Sequence, residues 1–165
     1  MKSPFLQEMT GSEPLSIEEE YAMQKTWRTD NDKAQGSAEA CDIYDNSKMI
    51  GDVNFYLNDH YNPHEAELEV MIAESECSGK GIATEVLKLM MHYAVNDVGV
   101  TDFVVRIKET NAASIHIFES KFGFQETERS SAFKEVTLRR GASDELKDEL
   151  QQWTRSAKRV NYQKQ

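Results

Sequence analysis

The residues best suited to chemistry lie in one run, Glu65–Thr84, EAELEVMIAESECSGKGIAT. Its second half, Ser78-Gly79-Lys80-Gly81-Ile82-Ala83-Thr84, is a two-glycine turn that opens a helix. Glycines let a ligand approach the backbone closely. The first N–H groups of a helix have no intrahelical partner, and the helix dipole favours an anion beside them. The chemistry this turn suits is therefore phosphate binding. Two phosphate motifs are excluded. A Walker loop needs Gly where Glu74 stands and Ser or Thr where Gly81 stands. The dinucleotide fingerprint needs a third Gly where Thr84 stands. The first half of the run alternates. Ala66, Leu68, Val70 and Ile72 share one face, and Glu67, Glu69 and Met71 share the other, as in a strand covered on one side.

These residues need elements to position them. Ile82, Val86, Leu89, Met90 and Tyr93 recur at helical spacing and predict a helix that buries this face. Asp102–Lys108 (DFVVRIK) is β-branched and alternating, hence a strand. Strand, helix and strand at this spacing form a parallel βαβ unit. Thr110 or Asn111 caps a further helix over about Ala112–Lys121, which Gly123 ends. Phe124–Arg129 and Ala132–Arg139 form a closing antiparallel pair. Upstream, Ser16 and Glu19 have capping-box spacing at the start of a helix that runs through Trp27. Asp30–Glu39 is polar and loop-like, Ala40–Tyr44 a weak strand, Asn46–Lys48 a turn, and Met49–Leu57 a stronger strand. Beyond Gly141, Leu146, Leu150, Trp153, Ala157 and Val160 fall at helical spacing. The chain divides into one domain over 1–140 and a helical tail over 141–165.

Composition narrows the function. The 165 residues carry 19 basic and 29 acidic side chains, a formal net charge of −10. That argues against a nucleic-acid surface and against anionic lipid, and it favours a cationic or amine substrate. The two cysteines, Cys41 and Cys77, make no disulfide or metal framework. His60, His64, His92 and His116 offer no metal-ligand spacing, so no metal is expected. No leader or membrane span is legible, and a cytoplasmic protein is the expectation.

Two stretches together carry a family resemblance. The turn Ser78–Ala83 resembles the acetyl-CoA signature of the GNAT (Gcn5-related) N-acetyltransferase superfamily, with Ser78 where the pattern has Gln or Arg. Asn111–Phe124 resembles its second signature, an Asn-led helix that ends in an aromatic residue, a Lys and Gly-Phe. Within the superfamily, SEPLSIEEEYAMQ (12–24), MIGDVNFYL (49–57), ELEVMIAE (67–74), SGKGIATE (78–85) and FKEVTLR (133–139) resemble the N-acetyltransferase 9-like proteins. The resemblance implies an α/β (α+β) GNAT fold. This is a mixed, mostly antiparallel sheet with a central parallel βαβ unit and flanking helices. The family begins with a strand and helix ahead of the point where Met1 falls. It also has an apolar strand where polar Asp30–Tyr44 stands. The chain is therefore similar to a shortened form, with acceptor site and stability weakened.

The resemblance also assigns roles. The co-substrate is acetyl-CoA, and the acceptor is a protein or peptide amine, most of all an N-terminal one, acetylated by direct attack. Its pyrophosphate would lie on Ser78, Gly79, Lys80, Gly81, Ile82, Ala83 and Thr84. Its pantetheine would pair with the backbone of Val70, Met71 and Ile72. Asn111 and Ser114 would complete the site. A base carboxylate eleven residues before the Gln/Arg position is Glu67, with Glu69 its alternative. Such a base needs a raised pKa, which two acids on one strand face can supply to each other. The same residues read as surface carboxylates paired with Arg106 or Lys108. Many members protonate the thiolate with a Tyr where Phe118 stands here. The competing function is a catalytically weak or inactive acetyl-CoA-binding or interaction module.

Overall fold

A computed structural model describes Pro4, Gln7, Glu8 and residues 15–27, 33–39, 49–57 and 59–158. The first described helix, α1 (Ile17–Trp27), starts at the expected capping box. The Ser16 N–H donates to Glu19 Oε2 at 2.8 Å, and the Glu19 N–H donates to Ser16 Oγ at 3.3 Å. Each side chain thus satisfies a backbone donor of the other residue.

Among the described residues six strands follow: β1 (Lys33–Glu39), β2 (Met49–Tyr56), β3 (Glu65–Ile72), β4 (Asp102–Lys108), β5 (Gln125–Ser130) and β6 (Glu135–Gly141). They form one sheet in the order β1-β2-β3-β4-β6-β5. Every neighbouring pair is antiparallel except β3 and β4. Between those two runs α2 (Ile82–Tyr93), continued by a wider turn over Ala94–Val98. After β4 comes α3 (Ala112–His116), widened in the same way over Ile117–Lys121. The last described helix is α4 (Asp144–Trp153). This is the mixed sheet with a central parallel βαβ unit that the sequence predicts.

Three local expectations change. Lys33–Glu39, expected as loop, is a strand whose backbone is registered against β2 from Lys33↔Tyr56 to Glu39↔Met49. Its polar composition hid it, because strand formation depends on the partner's ladder as much as on residue type. The expected strand at Ala40–Tyr44 and turn at Asn46–Lys48 fall outside the described residues. Along α2 and the wider turn that continues it, the buried stripe is Leu87, Met90, Met91 and Ala94, whereas Leu89 and Tyr93 are 43% and 39% exposed. The sheet meets the helix about a third of a turn away from the face that the apolar spacing suggests. Finally, α4 ends at Trp153, so Ala157 lies beyond it; Val160 falls outside the described residues.

The core occupies one face of the sheet. Val53, Phe55, Ala66, Leu68, Phe103, Val105, Ile107, Val136 and Leu138 meet the buried residues of the three later helices there. Phe118 packs edge-on to Phe124 with ring centroids 5.1 Å apart, and Phe122 packs edge-on to Trp153 at 5.8 Å. Arg140 sits at this face and ties it to the helices. Its guanidinium donates to the Phe122 carbonyl and pairs with Glu149 of α4 at 2.9 Å. Leu146 and Leu150 of α4 are fully buried in the same core. Leu150→Ala should therefore destabilise the chain by about 2–5 kcal/mol, through lost burial and the cavity left behind. Urea unfolding monitored by Trp fluorescence measures this.

Candidate functional site

The candidate site lies where β3 and β4 part. The two strands pair at only three positions, Glu65↔Asp102, Ala66↔Phe103 and Glu67↔Val104. Beyond them β3 continues to Ile72 along β2, and β4 continues to Lys108 along β6. Leu68–Ile72 and Val105–Lys108 therefore present facing backbone edges that do not pair with each other. Gly51 helps hold β3 to its outer neighbour. A Cβ on Gly51 would stand 2.1 Å from the Met71 carbonyl oxygen, so only glycine allows this approach.

The glycine turn stands at the C-terminal end of this opening. After Ile72 the chain makes one short helical turn, Ser75–Cys77, that was not expected, and then enters Ser78–Gly81. Gly79 and Gly81 have φ of 72° and 83°. Gly81 is the N-cap of α2 and offers no side chain to the helix's first amides. The first helical bond runs from the Glu85 N–H to the Gly81 carbonyl at 3.0 Å. Nothing lies within 4 Å of where a Cβ would project from Gly79 or Gly81. An uncapped helix start with open space before it suits a phosphate group. Ser78 and Lys80 are exposed beside it, while Ile82, Ala83 and Thr84 are half-buried.

Asn111 follows the parallel neighbour, β4, so it lies at the same edge of the sheet as the turn. Its Oδ1 accepts from the Ser114 N–H at 3.1 Å and caps α3. Phe118 is buried against Phe122 and Phe124, within the core.

Glu67 and Glu69 share the face of β3 opposite the core, and each has a partner. Glu67 is ion-paired with Arg106 of β4, one of the two partners that the surface reading named. Its hydrogen bond raises the Arg106 pKa above the ordinary guanidinium value. Glu69 is exposed and hydrogen-bonded to Tyr56 of β2. Burial, followed by the negative charge of Glu69, pushes the Tyr56 phenol well above its usual pKa, with Asp52 and Glu67 adding to the shift. The face also holds Glu65, which is buried and ion-paired with Arg139 of β6. Sequence reading missed Tyr56, Asn54, Glu65 and Arg139. The alternation Asp52, Asn54, Tyr56 in β2 was the available signal for the first two.

The comparisons with known proteins agree with this architecture. A family profile described as Acetyltransferase (GNAT) domain matches residues 2–125. The chain belongs to the GNAT acetyltransferase family. It is 42% identical over 151 residues to a human protein named alpha/beta-tubulin-N-acetyltransferase 9, which covers 87% of this chain and 72% of that one. It is 41% identical over 145 residues to a Caenorhabditis briggsae N-acetyltransferase 9-like protein, covering 84% and 72%. A Vibrio cholerae spermidine N-acetyltransferase, solved in complex with CoA and spermine, has the same fold. Its TM-score is 0.70 at 20% identity, over 85% of this chain and 84% of that one. As a GNAT enzyme the chain is an acetyl-CoA-dependent acetyltransferase. Among the described residues no group of three or more His, Cys, Asp or Glu is placed to hold a metal. Among the same residues no helix is long and apolar enough to cross a membrane.

The Tyr56 environment has a pH consequence. The phenol ionises at higher pH in the folded chain than in the unfolded one. Its contribution to stability is thus complete below an ordinary tyrosine pKa of about 10 and is lost as pH rises through the raised folded value. Tyr56→Phe should flatten the alkaline limb of a stability–pH curve and leave the neutral region's slope unchanged, as measured by denaturant midpoints across pH.

Proposed function

We propose that this chain moves the acetyl group of acetyl-CoA onto a protein amine, most of all an N-terminal α-amine, by direct attack. The observation that carries this reading is the parting of β3 and β4 beside the uncapped glycine start of α2. The gap offers free strand amides and carbonyls to the amide-bearing pantetheine arm, which can pair along Val70, Met71 and Ile72 as an added strand. The turn Ser78–Thr84 offers backbone N–H groups and the Lys80 ammonium to the pyrophosphate, which a chain of net charge −10 must attract locally. Asn111 and Ser114 border the same edge of the sheet.

In the transfer step the acceptor's amine nitrogen attacks the thioester carbonyl carbon. A C–N bond forms and the C–S bond breaks, and CoA departs as a thiolate. Glu67, ion-paired with Arg106, takes the surplus amine proton directly or through water, and Glu69 is the second candidate for that role. Phe118 has no proton to give, so the thiolate is protonated from solvent. Relatives named as alpha/beta-tubulin N-acetyltransferases make tubulin the first acceptor to try. Release of CoA thiol in the presence of purified tubulin, with mass spectrometry of the product, tests the whole reading. No acetylated amine on tubulin or on a free-amine peptide pool would favour the inactive binding module instead.

Two variants separate binding from chemistry. Gly81→Glu puts bulk and negative charge at the anion position and should remove acetyl-CoA binding by calorimetry; unchanged affinity would displace the phosphate from this turn. Glu67→Gln should lower kcat by about 100- to 10,000-fold, as expected for loss of a general base, with acetyl-CoA affinity intact. A larger loss in Glu69→Gln than in Glu67→Gln would transfer the role to Glu69.

A further inference from the structure

On the face of β2 and β3 opposite the core, one buried side-chain polar atom has no hydrogen-bond partner among the described residues. Asn54 is 5% exposed, and its Oδ1 is buried with no hydrogen bond. The orientation of the amide has a cause. Its Nδ2 donates to Asp52 Oδ1 at 3.4 Å, and a carboxylate can only accept, so the carbonyl end is turned away from Asp52. Leaving a buried carbonyl oxygen unpaired is costly, and an aliphatic residue of the same size would avoid that cost. The flanking Val53 and Phe55 are apolar and buried on the core side, so the strand itself does not need an amide here.

The surroundings of this oxygen select its ligand. Asn54 is registered opposite Glu69, and Tyr56 opposite Glu67, so all four side chains project to one face with Asp52. The Tyr56–Glu69 hydrogen bond therefore runs diagonally beside Asn54. Arg106 of β4 and Arg139 of β6 are engaged by Glu67 and Glu65, and β1 sets Lys33 opposite Tyr56 and Gln35 opposite Asn54 in register. An oxygen acceptor among three carboxylates repels anions and calls for a cationic N–H donor. A primary amine has both properties: its protonated form is drawn to the acids, and either form has N–H to donate. The position fits as well, since Glu69 lies two residues past the last β3–β4 pair, at the start of the gap.

We propose that Asn54 is a positioning residue for the acceptor, its Oδ1 accepting a hydrogen bond from the incoming primary amine while Asp52 holds the amide in place. This rests on the acetyl-transfer reading above. In this proposal Glu69, which is exposed and linked to Tyr56 by its side chain alone, gives way to the amine.

The test uses the full chain with saturating acetyl-CoA and two peptide pools. One pool has a free N-terminus and no Lys; the other has a blocked N-terminus and a single Lys. Activity on one pool or the other identifies the source of the amine. Asn54→Leu should raise the apparent KM for the active pool about 10- to 100-fold, the range for a hydrogen bond to a charged group. Acetyl-CoA affinity by calorimetry should stay within about twofold, and the melting temperature should hold or rise, because the orphaned oxygen is gone. Asn54→Ala removes the oxygen without adding bulk and carries the same KM test if the leucine variant does not fold. An unchanged acceptor KM in an active Asn54 variant overturns the proposal, as does acetyl-CoA affinity that falls in step with it. A wild-type chain that binds acetyl-CoA but acetylates neither pool overturns the transfer reading itself, and this inference with it.

Discussion

The short parallel contact between β3 and β4 is the constraint on which the rest depends. Three residue pairs join the strands, and then each follows its other neighbour. β2 holds β3 from Glu67 to Ile72, and β6 holds β4 along its whole length. Because both outer ladders are complete, the centre of the sheet can open without unravelling. An open ladder normally leaves unpaired backbone groups that invite association with another chain. Here the opening is flanked by the glycine turn, by the start of α2 and by the Asn111 cap at one edge of the sheet.

The two faces of the sheet do different work. One face is apolar and is covered by α2, α3 and α4, with fully buried Phe103, Phe122, Leu87, Leu146 and Leu150 at its centre. That burial holds the frame. The other face carries Asp52, Asn54, Tyr56, Glu65, Glu67 and Glu69, and basic residues from β4 and β6 offset much of its charge. The pair Glu65–Arg139 differs from the exposed pairs of the chain. Glu65 is buried, so removal of Arg139 would strand a charge away from water, a change that typically costs several kcal/mol. Arg129 with Glu109 and Glu126 is exposed, and such pairs contribute little. A rigid apolar frame on one side thus supports a charged, partly satisfied face on the other, the face on which we propose the amine chemistry.

Local pattern determined much of this protein from the sequence by itself. Ser16 and Glu19 announced a helix start, because a capping box is satisfied within four residues. Asn111 announced another for the same reason. The alternation in Glu65–Ile72 and Asp102–Lys108 and the two glycines between them specified strand, turn, helix and strand, and with them the uncapped glycine start of α2. The resemblance in the same stretches pointed to GNAT. What only the tertiary structure decided depends on partners distant in the chain. Lys33–Glu39 is a strand because β2 offers it a ladder, which its own composition does not reveal. Leu89 and Tyr93 are exposed because the sheet meets α2 on the Leu87 side. Glu67 is tied to Arg106, 39 residues further on, once parallel pairing aligns β3 with β4. Asn54 becomes an orphaned oxygen beside Glu69 only when β2 folds back on β3 in that register. Periodicity tells each residue which face it occupies; register, set by long-range pairing, decides what it meets there.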